Sequence, residues 1–127
     1  MASKSVLAIG LDPAVVDFSA FPGLTPELVR AHIDAEVGRL RELGYEAESC
    51  LIAPGEAGEA EVERTLRSGR FDCIVIGAGL RQPPERLMLF ERVLNLVHHL
   101  APDSRIAFNT NPADTAEAAQ RWIGQGG

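Results

Sequence analysis

The sequence predicts an α/β protein: a four-stranded parallel sheet in the order 2-1-3-4, covered by helices on both faces in three layers. Three observations carry this. Apolar runs of strand length alternate with helical patterns throughout, β-α-β-α-β-α-β-α, the order that goes with parallel strands joined by right-handed crossovers. Phe71 to Ile76 is a short apolar run rich in β-branched residues, as in a strand buried on both faces at the centre of a sheet. Tyr45 to Ala53 mixes Glu46, Glu48 and Ser49 with Leu51 and Ile52, the pattern of a half-wet edge strand.

The first strand is Val6 to Ile9, and Gly10-Leu11-Asp12-Pro13 ends it. A loop then runs to Thr25, longer than the usual strand-to-helix turn. It carries Val15, Val16, Phe18, Phe21 and Leu24, so Ala14 to Leu24 is expected to pack back on the domain, to form a lid, or to meet a partner. Thr25-Pro26-Glu27 opens the first helix with an N-cap, a proline in the first turn and an acid suited to the dipole. Val29, Ile33, Val37 and Leu40 form its apolar stripe, and Gly44 stops it. After the second strand, Pro54-Gly55 turns the chain into a helix over Glu59 to Ser68, with Val62 and Leu66 inward.

The third strand leads into a glycine turn, Gly77-Ala78-Gly79-Leu80-Arg81. Pro83-Pro84 then start a helix over Glu85 to Leu100. Ile106-Ala107-Phe108 is the core of the fourth strand and reads as buried on both faces. Asn111-Pro112-Ala113-Asp114 reads as N-cap through N3 of a last helix, with Asp114 reaching back in capping-box fashion; the helix runs to about Ile123, with Gly124 to Gly127 as tail.

At 127 residues the chain makes one domain. Hydrophobic residues are 46% and aromatics 6%, which requires a mainly aliphatic core. Net charge is −6, which disfavours nucleic acid and anionic membrane as partners. No apolar run approaches the roughly 18 residues that span a bilayer. Nothing resembles a signal peptide, so Cys50 and Cys73 are expected to be reduced thiols in a cytoplasmic protein. The single lysine, Lys4, excludes a phosphate-loop or Schiff-base lysine. His32, His98 and His99 have no cysteine or carboxylate at ligand spacing, so no metal is expected.

Gly77 and Gly79 match the start of a G-x-G-x-x-G fingerprint, but Gln82 holds the third position, Pro83-Pro84 follow, and Asn109 stands where an acid is needed. No dinucleotide or other cofactor is therefore expected. The order of elements resembles the flavodoxin-like, Rossmann-like group, and within it response-regulator receiver domains. Asp12 stands where receivers carry an acidic pair, and Thr110 matches their threonine or serine after the fourth strand. Gly77 occupies the phosphoacceptor position, and no lysine follows a fifth strand. The resemblance implies a degenerate receiver-like scaffold that does not transfer phosphate.

In open α/β sheets, ligands bind beyond the carboxyl ends of the strands where the strand order reverses. Here that places a crevice between the first and third strands, bordered by Asp12, Gly77, Gly79 and Arg81, with Asn109, Thr110 and Asn111 beside it. Arg81 offers a fork for carboxylate or phosphate, Asp12 would orient it, and the N–H groups at Asn111 would add to the attraction. The expected function is a binding or regulatory module for a small anion. A small hydrolase or isomerase at the same edge is the alternative. A structural or assembly protein is the other: Leu87, Leu89, Phe90, Val93, Leu94, Leu96, Val97 and Leu100 fill about half of the third helix, more than one buried stripe needs. That surplus, with the uncovered fourth-strand edge, predicts a homodimer through Glu85 to Leu100 and that edge.

Overall fold

A computed structural model describes residues 3–19 and 22–124; Phe21 and the tail residues 125–127 lie outside the described residues. Four strands, β1 (Ser5–Leu11), β2 (Glu46–Ile52), β3 (Cys73–Ile76) and β4 (Arg105–Phe108), form one sheet. Its order is β2-β1-β3-β4 and every pair is parallel. The helices are α1 (Pro26–Glu42), α2 (Glu56–Arg67), a single turn α3 (Ala78–Arg81), α4 (Leu87–Leu100) and α5 (Thr115–Ile123).

Alternate strand residues point to opposite faces, and the sheet therefore carries two cores. On one side Leu7, Ile9, Ile52, Ile74 and Ile76 meet Val62 and Leu66 of α2 and Leu89, Val93 and Val97 of α4. On the other, Val6, Val75 and Ala107 meet Leu40 of α1 and Ala116 and Ala119 of α5. β3 is buried at all four positions, whereas β2 is exposed at Glu46, Glu48 and Ser49, as the polarity of each predicts. Among the described residues, no helix is long and apolar enough to cross a membrane.

Several boundaries differ from expectation for local reasons. α2 begins at Glu56, a turn before Glu59, because Gly55 takes the left-handed backbone (φ 109°) that a side chain resists. Gly58 in its first turns lies so close to β2 that a Cβ would fall 1.9 Å from the Ala53 carbonyl oxygen. The glycine turn after β3 is helical, forming α3. Pro84 opens a 3-10 turn over Pro84–Arg86, so regular helix starts at Leu87 rather than Glu85. β4 is not buried on both faces: Ala107 is covered by α5, but Phe108 on the α4 side stays 37% exposed.

Candidate functional site

Short apolar strands place the ends of β1, β3 and β4 together, so the predicted residues do share the carboxyl edge of the sheet. Where the crevice between β1 and β3 is expected, the chain after β3 keeps close to the end of β1. The Gly77 N–H donates to the Ile9 carbonyl at 2.8 Å, and a Cβ at Gly77 would sit 3.3 Å from that same oxygen. That is tighter than most Cβ contacts, and glycine eases the approach that lays α3 against the end of β1. Gly79 then faces Leu11, its Cβ position 3.8 Å from the leucine's, and Leu11 is buried there.

Asp12 consequently does not meet Arg81. Its Oδ1 accepts the Ala14 N–H at 3.0 Å, capping a 3-10 turn over Pro13–Val15, and pairs with the Arg30 guanidinium at 2.8 Å. Arg30 lies in the second turn of α1, so this pair ties the start of the long loop to that helix. Val16 packs on the core and Asp17 Oδ1 accepts the Ser19 N–H, while Val15 and Leu24 remain exposed.

Arg81 turns the other way, toward β4. One terminal nitrogen donates to the Asn109 carbonyl, and the guanidinium carbon stands 5.0 Å from the centroid of the Phe108 ring. Phe90 of α4 meets the same ring edge-on at 6.0 Å. Among the described residues no carboxylate lies within ion-pairing distance of Arg81, and its buried Nε has no acceptor. Burial lowers its pKa, opposed by the nearby charge of Asp114.

Asn109 is a buried joint. Its Oδ1 accepts the Ala78 N–H at 2.7 Å, and its Nδ2 donates to Thr115 Oγ1 at 3.0 Å, so one side chain links β4 with the starts of α3 and α5. Asn111 does not cap α5. The helix begins at Thr115, and Asp114 folds back instead: its carboxylate accepts the N–H groups of Thr110 and Asn111 and the Thr110 hydroxyl. The Asn111 side chain accepts the Ala113 N–H at 2.7 Å in a local turn. The backbone donors expected to draw an external anion therefore already hold an internal one. Burial pushes the Asp114 pKa up, but hydrogen bonds from Thr110 and Asn111 outweigh it and hold the carboxyl below the usual range.

Glu36, which no motif marked, is 8% exposed and accepts the Ala116 N–H at 2.9 Å, placing a carboxylate at the N-terminus of α5. The signal was present: Glu36 stands between Ile33, Val37 and Leu40 on the apolar stripe of α1, where a carboxylate requires a partner. Both thiols are buried. Burial raises the Cys50 pKa and pushes that of Cys73 to about 12, which removes the thiolate needed for nucleophilic work at neutral pH.

What this edge presents is thus a guanidinium over a partly exposed aromatic ring, with Phe90 of α4 against the same ring. No protein-family model and no curated protein matches the chain.

Proposed function

We propose that the chain is a binding module that works through the flank of β4, and that its partner there is a second copy of itself. The observation that carries this is Arg81 over the Phe108 ring at the end of β4, with Phe90 against the same ring and Leu87 exposed at the start of α4. Arginine, aromatic residues and methionine are the types enriched in protein interfaces. β4 is a four-residue strand with one unpaired edge, and burying that edge and its apolar border gains more than leaving them in water. In this reading the scaffold is receiver-like, with Gly77 in place of a phosphoacceptor, and it acts by assembly rather than by phosphate chemistry. Sedimentation velocity at tens of micromolar tests it. The expected result is a dimer that Leu87→Glu and Phe108→Glu each convert to folded monomer; an unmodified chain that stays monomeric refutes it.

A second reading keeps Arg81 as the receptor of a small carboxylate or phosphate. It is favoured by a half-buried guanidinium without an ionic partner, a group that gains from an anion. Thermal shift with inorganic phosphate and small dicarboxylates tests it: stabilisation lost in Arg81→Ala supports the site, and stabilisation unchanged in that variant removes it.

A further inference from the structure

A concavity lies away from the β4 flank, on the outer surface between α2 and α4. It is an open trough of about 680 Å³. Helix spacing explains its shape. Glu56, Ala60 and Glu63 follow one another at four and three residues along α2, and Met88, Arg92 and Leu96 at steps of four along α4, so each set forms one ridge. Ala60 is the small residue midway along its ridge, and its missing bulk opens the trough opposite Met88, Arg92 and Leu96. A shallower recess lined by Ala60, Glu63, Arg64, Arg67 and Ser68 prolongs it toward the end of α2.

We propose that this trough is a docking groove for a basic amphipathic helix of a partner protein. Two neighbouring helices with a gap of this kind accept a third whose apolar side chains fill it. Ala60, Leu96 and the exposed Met88 provide the apolar floor, and four glutamates with one arginine form the walls. The Arg92–Glu59 pair, at 3.3 Å, bridges the two helices and uses the arginine's charge; Glu63 is matched by Arg67 at 3.1 Å. Glu56 and Glu91 are left without an ion-pair partner among the described residues, one on each wall. A helix that places a leucine-sized side chain over Ala60 and lysines or arginines toward Glu56 and Glu91 satisfies shape and charge together. An acidic helix, an anionic membrane or nucleic acid meets like charge on both walls and is disfavoured.

The probe is a synthetic amphipathic peptide of about four helical turns, with leucines on one face flanked by lysines, measured by fluorescence anisotropy. Its counterpart with glutamates for the lysines is the control. The expected result is saturable binding of the basic peptide alone, weakened about tenfold by combined Glu56→Gln and Glu91→Gln and abolished by Ala60→Trp, which fills the trough. These three positions are exposed and lie outside both cores, and circular dichroism verifies that each variant is folded. Binding equally well to the Ala60→Trp variant, binding the acidic counterpart equally, or binding neither peptide overturns the proposal. Leu87→Glu at the β4 flank leaves the peptide affinity unchanged, so this groove and the self-association surface fail or stand separately.

Discussion

Replacing Asn109 with alanine tests whether the carboxyl edge of the sheet is built around a buried polar joint. Asn109 is 7% exposed and the groups it serves, the Ala78 N–H and the Thr115 hydroxyl, belong to residues 9% and 6% exposed. The substitution leaves the backbone carbonyl that Arg81 uses in place, because that contact is to the main chain. It strips two buried groups of their partners, and each orphaned group costs about 1–3 kcal/mol. The expected loss is therefore about 2–6 kcal/mol from a total that for domains of this kind is about 5–15 kcal/mol. Urea unfolding followed by circular dichroism reads this as a midpoint lowered by about 1–3 M, with a slope of about 2 kcal/mol/M for a domain of this size. Thr115→Ala alone costs less, since it orphans only the Asn109 amide. The double variant costs less than the sum of the two singles, because it removes both partners of one bond together. An Asn109→Ala loss below about 1 kcal/mol, or strict additivity in the cycle, would refute the reasoning: water or a relaxed loop would then be serving those groups.

Gly58→Ala puts a Cβ against the Ala53 carbonyl and should cost about 3 kcal/mol or more, lowering the thermal midpoint by about 10 °C. Gly38→Ala, in a part of α1 with nothing within 4 Å of the new methyl, should instead raise the midpoint slightly. Cys50 and Cys73 should be silent to a thiol reagent at pH 8 until the protein is denatured. A thiol whose pKa is raised by folding adds stability that is complete below the unfolded value near 9 and is lost as the pH climbs through about 12. Alkaline denaturation should therefore steepen over that window, and Cys73→Ala should flatten it.

Much of this architecture was legible from residue order alone, for reasons visible in single elements. Phe71 to Ile76 has no polar residue after Asp72, so its strand had to be internal; Glu46, Glu48 and Ser49 could sit only on a strand with water on one side. The order β2-β1-β3-β4 satisfies both facts and keeps β1 beside β2 and β3 beside β4, as neighbours in sequence tend to be. That order in turn places Asp12, Gly77, Arg81 and Asn109 along one edge of the sheet.

Which of those side chains meet was decided by packing across the sheet. α3 settled on the end of β1, with Gly77 close to the Ile9 carbonyl, and Asp12 and Arg81 met different partners. The direction of α1 then gave Asp12 to Arg30, and Arg81 crossed to the Asn109 carbonyl and the Phe108 ring. Asp114, whose reach back to Asn111 the local sequence did signal, and Glu36, from 80 residues before Ala116, filled the donors that looked open to an external anion. Hydrophobic periodicity reports which face of an element is buried, because burial acts on each residue singly. A hydrogen bond or ion pair depends on the distance between two atoms on separate elements, and that distance exists only once the layers have closed.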